Sequence, residues 1–473
     1  ASVAGLSALE SVGGDLSFTD NDDLTTLDGP SGLTSVGGLL EIRDNASLTR
    51  VGDLSSLALV GGGLYVRDNG VLSDLDGLSG VTSVGGDVAM YDNGALANID
   101  GLASLESIGG CLDLHDLPSL VSIEGLARLE TVGDGLFIYE NDLLADLDGL
   151  SSLASAGGDL LLHDNGTVTD LNGLASLASV GGDLFIQSNS ALVDLDGLTG
   201  LASVGGHLDI QDNPSRTRID SLSGLESVDG TLDVGRNPAL ASLDGLSSLR
   251  YVRGHMKVHE NDLLPRLDDL SSLTSVSDDL HIHGNASLSS LDGWSNLATV
   301  GGSLLVYDND ALTDLDGLSG LTNVGGDVQI HDNDSMTDIE GLSALETVGG
   351  GLDVGSLPAL TGLEGLSSLT NVGGDLAVHH VDLLTGLDGL ASLETVGGCL
   401  HIHDSVSLTS IEALSSLEFV GDNVAIFGNT TLTDLDGLSS LTHVTDNMYV
   451  SDNPSLTRID ALSTLETVGH SLR

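Results

Sequence analysis

Lysine is almost missing from this chain. Lys257 is the only one, and 13 basic residues stand against 71 acidic ones, which gives a formal net charge of −58. Such a charge disfavours binding to nucleic acid or anionic lipid. No apolar run approaches the roughly 20 residues of a membrane helix, and the start, Ala-Ser-Val-Ala, has neither a basic segment nor an apolar one. We therefore expect no nucleic-acid partner and no direct membrane insertion.

Aromatic residues and proline are also scarce, at 3% of the chain and seven residues. A thick aromatic core and a proline-rich linker are thereby excluded. What the chain has instead is 64 glycines at regular intervals and 40% hydrophobic residues. This composition predicts a thin aliphatic core with many tight corners.

A repeat of 24 residues explains this regularity. Stepping by 24 from Val324 meets an aliphatic residue each time, without insertion or deletion. The matching positions include Val12, Val36, Val60, Val84, Ile108, Val132, Ala156, Val180, Val204, Val348, Val372, Val396, Val420, Val444 and Val468.

One coil shows two apolar periods. Leu304 and Val306 alternate, which predicts one strand around 303–307, whereas the apolar residues at 312, 315, 318, 321 and 324 recur every third residue, as in turns or a 3₁₀-like arc. Strands of successive coils should pair in parallel at about 4.8 Å. About twenty coils then form one continuous β-solenoid over residues 1–473, a rod of roughly 95 Å without recognisable caps.

Asparagine recurs once per coil and is expected to form an inward structural ladder, bonding to its neighbours and to the turn. Apparent glycosylation sequons begin at Asn45, Asn165 and Asn429, but an inward position cannot accept a glycan. The ladder positions are Asn21, Asn45, Asn69, Asn93, Asn141, Asn165, Asn189, Asn213, Asn237, Asn261, Asn285, Asn309, Asn333, Asn429 and Asn453.

Most coils also carry a glycine pair, as at Gly325 and Gly326. We expect positive φ there, where the arc turns into the strand.

The pattern LxxLxxVGGxLxIxxNxxLxxL resembles the leucine-rich-repeat-like coil of receptor L domains, found in insulin-receptor-type ectodomains and in fungal cell-wall proteins, and similar acidic arrays occur in bacterial or archaeal surface proteins. The resemblance spans Leu6 to Leu472 and implies a right-handed solenoid, an extracellular or cell-surface setting, and a role in binding or wall architecture. Receptor L domains are shorter, less regular and closed by capping elements, often with disulfides, so the near-perfect periodicity of this chain departs from their pattern. Residues that carry the resemblance include Val180, Gly181, Gly182, Leu184, Ile186, Asn189 and Leu192.

The two cysteines, Cys111 and Cys399, are 288 residues apart, which is twelve whole coils. We expect them to lie far apart in one column, so they cannot pair within a monomer. Two free thiols or a bond between molecules remain open.

Acidic residues form two columns. One is the Asp of the LDGL motif, as at Asp316, and the other precedes the ladder asparagine. Stacked like charges should repel. Two explanations stay open: calcium bridges adjacent coils, or the LDGL aspartate caps the following turn while surplus charge keeps the protein hydrated. No cofactor is required, and the candidate calcium ligands are Asp20, Asp44, Asp68, Asp92 and Asp116.

Histidine and tyrosine form an outward column two residues before the ladder asparagine. This column is predicted to be the interaction face, either solvated or used for lateral contact. A transition-metal site is a second hypothesis, at His255, His259, His281 and His283. The predicted face contains His115, His163, His259, His283, His331, His379, His403, Tyr91, Tyr139 and Tyr307.

No serine or cysteine departs from the repeat as a nucleophile would, so we expect no enzyme. The one basic cluster is interpreted as neutralised charge or as a docking spot for an acidic partner. It contains Arg216, Arg218, Arg236, Arg250, Arg253, Lys257 and Arg266. The sequence therefore predicts a non-enzymatic extracellular solenoid that serves as a structural or adhesive surface element and can self-assemble into fibres. Its partners would be further copies, another surface protein or a glycan. The alternative is a secreted module that binds protein or glycan through its strand face.

Overall fold

The computed structural model describes residues 3–473, in two compact units, one ending at Asn237 and the other covering Pro238–Arg473. Both units consist of 24-residue coils, and the predicted leucine-rich-repeat-like β-solenoid is confirmed. Each coil carries a long strand of four residues and a short strand of two. No helix among the described residues is long and apolar enough to cross a membrane.

The long strands pair in parallel with those of neighbouring coils, in a register of 24 residues. Leu304, for example, faces Leu280 on one side and Val328 on the other. In the first unit the long strands are Leu16–Thr19, Leu40–Arg43, Leu64–Arg67, Val88–Tyr91, Leu112–His115, Leu136–Tyr139, Leu160–His163, Leu184–Gln187, Leu208–Gln211 and Leu232–Gly235. In the second unit they are Met256–His259, Leu280–His283, Leu304–Tyr307, Val328–His331, Leu352–Gly355, Leu376–His379, Leu400–His403, Val424–Phe427 and Met448–Ser451.

The prediction of a single strand per coil is wrong, because a second, two-residue strand precedes the glycine corner. Two residues are too few to show alternation, so the sequence placed this valine in the arc. In the first unit the short strands are Ser11–Val12, Ser35–Val36, Leu59–Val60, Ser83–Val84, Ser107–Ile108, Thr131–Val132, Ser155–Ala156, Ser179–Val180, Ser203–Val204 and Ser227–Val228. In the second unit they are Tyr251–Val252, Ser275–Val276, Thr299–Val300, Asn323–Val324, Thr347–Val348, Asn371–Val372, Thr395–Val396, Phe419–Val420, His443–Val444 and Thr467–Val468.

The predicted arc is a 3₁₀ helix in most coils. Its first N–H is bonded by the side chain two residues earlier, so the capping expected of Asp316 is supplied by Asp314, at 3.2 Å. In the first unit these helices are Ala4–Leu6, Asp76–Leu78, Asp100–Leu102, Glu124–Leu126, Asp148–Leu150, Asn172–Leu174, Asp196–Leu198 and Asp220–Leu222. In the second unit they are Asp244–Leu246, Asp268–Leu270, Asp316–Leu318, Glu340–Leu342, Glu364–Leu366, Asp388–Leu390, Glu412–Ser416, Asp436–Leu438 and Asp460–Thr464.

The glycine pair has a different cause from the one predicted. Neither Gly325 nor Gly326 has positive φ. A Cβ atom on Gly325 would collide with the carbonyl of Gly301 in the preceding coil, and one on Gly326 would collide with Ser303. The pair is therefore favoured in most coils because adjacent backbones pass closely at these positions.

The ladder asparagines are almost all fully buried, the sequon residues Asn45, Asn165 and Asn429 among them. Asn309 shows the pattern. Its backbone N–H donates to the Oδ1 atom of Asn333 at 3.0 Å, and its Nδ2 donates to the carbonyls of Ile282 and Tyr307, both at 2.9 Å. Each asparagine thus ties its own coil to both neighbours. The positions Leu117, Leu357, Val381 and Ser405 interrupt the column.

A second ladder lies just before the long strand, and the sequence reading missed it. Asp279 Oδ1 accepts the N–H of Ser303 at 2.7 Å, and Ser303 Oγ accepts that of Asp327 at 3.0 Å. The residues differ in type, but most have a side-chain acceptor, and this signal is visible only once the column is aligned. Cys111 and Cys399 sit in this column as free, half-buried thiols, and burial raises the pKa of both.

Candidate functional site

The outward surface of the long strands is the candidate site. Along each strand the first and third side chains enter the core and the second and fourth point outward, as with buried Leu304 and Val306 against half-exposed Leu305 and Tyr307. The fourth position, which we name the ring column, carries the histidines and tyrosines of the predicted interaction face. The structure brings all ten of them into this column.

Most rings of the column lie in three stacks. Neighbouring ring centroids within a stack are 4.5 to 5.1 Å apart and the planes are within 15° of parallel. The spacing follows the coil rise, which holds consecutive rings in contact. Stack 1 is Tyr91, His115, Tyr139 and His163; stack 2 is His259, His283, Tyr307 and His331; stack 3 is His379, His403 and Phe427.

Stacking determines which parts of the rings a partner can contact. Their faces are covered by one another, so the edges, with the imidazole nitrogens and phenol hydroxyls, are left for a partner. One end of stack 1 is closed as well, because the Arg67 guanidinium lies 5.8 Å from the Tyr91 ring centroid and donates to the Tyr91 hydroxyl at 2.9 Å. Phe427 was not among the predicted residues, although its place in the column identifies it.

The histidines of the stacks differ in the direction of their pKa shifts. Burial lowers the pKa of His115, but the hydrogen bond to Asp113, whose Oδ1 lies 2.7 Å from Nδ1, and the charges of Asp113 and nearby aspartates together outweigh burial and leave the pKa above the ordinary value. His283 has no such carboxylate, and burial together with neighbouring histidines lowers its pKa. Burial, followed by the charges of Asp113 and Glu140, raises the pKa of Tyr139 to about 12.

Stack 3 begins with a connected chain of polar contacts. His379 Nε2 lies 3.0 Å from Asp353 Oδ1, and His379 Nδ1 lies 3.0 Å from Nδ1 of His380. The hydrogen bond to Asp353 raises the pKa of His379. Its ring fills the space above Gly355, where a Cβ atom would collide with it, and this glycine separates stack 2 from stack 3.

The four histidines of the predicted transition-metal site do not converge. His259 and His283 stack at 5.0 Å in the ring column. His255 belongs to the pre-strand ladder, where its Nδ1 accepts the N–H of Asp279 at 3.2 Å, and its ring centroid is 6.5 Å from that of His281. Within residues 3–473 no three histidine, cysteine or acidic side chains gather where they could hold a metal ion.

The column proposed for calcium has a conformational cause that the sequence reading did not identify. Asp20, Asp44, Asp68, Asp92 and Asp116 all have φ between 49° and 57°. Aspartate is among the few residues that adopt this left-handed conformation readily. Gly284 and Gly428 occupy the same column, also with positive φ, and they are the sequence signal for it.

Repulsion between neighbouring carboxylates of this column contributes to raised pKa values for some of them. Burial and then Asp44 and Asp92 raise the pKa of Asp68. A hydrogen bond to Asp116 and its charge raise the pKa of Glu140. An open groove of about 590 Å³ runs along this side of the first unit, with Asp92, Asp116, Glu140, Asp142 and Asp164 in its wall.

Comparisons with known proteins find distant similarity to solved structures. No protein-family model and no curated protein matches the chain. Similar solved structures include an internalin from Listeria monocytogenes, at 17% identity over 74% of this chain and 88% of that one, with a TM-score of 0.35. A leucine-rich-repeat protein from Leptospira interrogans has 15% identity over 78% and 90%, with a TM-score of 0.32. The functional domain of the internalin InlJ has 15% identity over 79% and 75%, with a TM-score of 0.30.

Proposed function

We propose that this chain is a non-enzymatic structural or adhesive element of a cell surface, and that its ring column is the contact face for another protein, either a second copy or a different surface protein. The stacked rings are the observation that carries the proposal. Stacking fixes large side chains in advance, so little conformational entropy is lost when a partner covers them. The resemblance to receptor L domains supports the extracellular setting.

The geometry favours a protein over a glycan. Sugars pack their apolar faces on exposed ring faces, but here the faces are occupied and the edges offer N–H and O–H groups. Beside stack 1, the outward second positions of three successive long strands carry half-buried Phe137, Leu161 and Phe185. Apolar and aromatic area next to directed polar groups is typical of the core of protein interfaces. The alternative is a secreted module that binds protein or glycan through the same strand face.

Charge determines when contact between copies can occur. At −58, two molecules repel each other at low ionic strength, and the repulsion is screened beyond about 8 Å in physiological salt. Calcium between the left-handed aspartates would reduce it further, since hard cations prefer carboxylate oxygens. We therefore include calcium in the proposal as a promoter of assembly, not as a required cofactor.

Sedimentation velocity tests this proposal. The wild-type chain is compared in 20 and 500 mM NaCl, with calcium chloride and with chelator, and we expect assemblies that grow with salt or calcium. A variant with His283→Ser and Tyr307→Ser should assemble less, while a control with Ser319→Ala and Ser343→Ala on the exposed arc should match wild type. Monomers under all conditions, combined with binding to a glycan panel, would instead favour the secreted glycan-binding module.

A further inference from the structure

Arg216 is the unexpected residue of the first unit, because it is completely buried. It occupies a core column of leucines, 24 residues after the buried Leu192. The segment 212–220, DNPSRTRID, differs from the segment 452–460, DNPSLTRID, only at this position, where the second has Leu456. The chain therefore has an arginine at a position that the matching segment fills with a leucine.

The guanidinium has no partner for its charge. Its Nε, Nη1 and Nη2 atoms are buried without a hydrogen bond. Burial lowers the pKa of Arg216 to about 9, an effect that Asp194 opposes, so the group remains charged at neutral pH. The Asp194 carboxylate accepts the N–H of Asp196 at 3.2 Å.

The other arginines nearby are neutralised within this acidic unit. Arg236 binds both carboxylate oxygens of Asp212, at 2.8 and 2.7 Å, and Arg218 lies 3.7 Å from Asp220. Arg216 is thus not part of an exposed basic cluster, contrary to the sequence interpretation. A buried cation without a counter-charge is among the costliest features a core can contain.

We propose that Arg216 binds a small monovalent anion, of the size of a halide ion, inside the core of the first unit. Such an ion would neutralise the charge and accept several of the guanidinium N–H groups. The acidic surface of the chain repels anions. An anion would therefore bind at the buried arginine and not at the surface.

Admitting an ion requires the core to open. The enclosed space lined by Leu162, Val168 and Leu171 among others has no room for a water molecule, and Val168 is two coils before Arg216 in the same column. The leucines around Arg216 must therefore move apart when an anion enters, at a cost that neutralising the buried charge has to offset.

Calorimetric unfolding of the full chain tests the site at constant ionic strength, with bromide replacing gluconate stepwise. We expect bromide to raise the unfolding midpoint by about 2 °C or more in wild type. Arg216→Leu should abolish this rise and increase the midpoint in gluconate. Arg218→Leu, which removes an exposed arginine two residues away, should keep the wild-type response.

Anomalous diffraction from a crystal grown in bromide gives the direct readout, with a peak expected at hydrogen-bond distance from the Arg216 guanidinium. Equal bromide responses of the Arg216→Leu and wild-type chains would overturn the proposal. A crystal structure in which Arg216 pairs with Asp194, with no bromide beside it, would overturn it too. In that case Asp194→Asn should destabilise the chain equally in bromide and gluconate.

Discussion

At the residue scale, backbone conformation explains an acidic column that charge alone made puzzling. Residues before the ladder asparagine turn the chain with positive φ, and the column contains mainly Asp, with Glu140, Gly284 and Gly428 among the exceptions. The sequence showed the column but not its cause, because a dihedral angle leaves no periodic signal. A left-handed position tolerates Asp, Asn and Gly, and penalises β-branched residues.

This leads to a prediction for Asp308, which has φ of 54°. Asp308→Val should lower the free energy of unfolding by about 1–2 kcal/mol, whereas Asp308→Asn should change it little. Asp310→Val, two residues further along the same turn, removes the same charge and is the matched control. Equal midpoints in urea for the two valine variants would show that conformation does not determine the residue at 308.

The asparagine ladder allows a second prediction at this scale. Asn165 accepts the N–H of Asn141 at 3.3 Å and donates to the carbonyls of Ile138 and His163 at 2.8 and 3.1 Å. Asn165→Asp keeps the shape but buries a carboxylate against two carbonyls. Asn165→Leu copies a residue that the column already contains at Leu117.

We therefore expect the aspartate variant to be less stable than the leucine variant at pH 7 by about 1–3 kcal/mol. Urea unfolding at pH 7 and pH 5 measures the difference. It should shrink at the lower pH, because a buried carboxyl has a raised pKa and regains its proton as the pH falls. A leucine variant that is the less stable of the two would show that the ladder bonds matter less than side-chain shape.

At the element scale, the sequence predicts the features that repeat along the chain better than the contacts between neighbouring coils. The register of 24, the long strand and the 3₁₀ arc were all readable from apolar spacing. The short strand was missed, and the glycine pair was assigned to positive φ although the closeness of neighbouring backbones favours it. Both depend on the adjacent coil, which a single repeat does not show.

For the ring column, too, the sequence predicted the position but not the contacts between coils. These contacts lead to a prediction about pH. Stacking and the carboxylate partners depend on side chains of neighbouring strands. We expect the NMR titration midpoint of His115 to lie above the ordinary value of 6.5 and that of His283 below it. The stabilisation from protonated His115 is present below the ordinary pKa and is lost as the pH rises through the raised one.

For His283 the sign is opposite, so stability is lost as the pH falls through the ordinary value and the lowered one. Asp113→Asn should bring the His115 midpoint down and leave that of His283 unchanged. Identical midpoints for the two histidines in the wild-type chain would contradict the described environments.

For the molecule as a whole, repulsion among like charges should dominate the response to solvent. The raised pKa values of Asp68 and Glu140 mean that the folded chain holds these protons more tightly than the unfolded chain. Their penalty is full above the raised values and disappears as the pH falls below the ordinary values of 3.8 and 4.5. Asp28, whose pKa Arg50 lowers, acts in the opposite direction.

We therefore expect the unfolding midpoint to rise as the pH falls through the raised values towards the ordinary values of 3.8 and 4.5, and to rise with sodium chloride at pH 8 because added salt screens the surface charges. Differential scanning calorimetry across both series measures this. A midpoint that falls with salt would mean that attractive ion pairs, such as Arg50 with Asp28, outweigh repulsion.

Histidine footprinting shows whether the long-strand face makes contact with a partner protein. The assembled and monomeric chain are treated with diethylpyrocarbonate and the modified residues are identified by mass spectrometry. We expect His283, His331 and His403 in the ring column to be protected on assembly, while exposed His443 on the short-strand side stays reactive. Protection of His443 with the ring column still reactive would contradict this expectation.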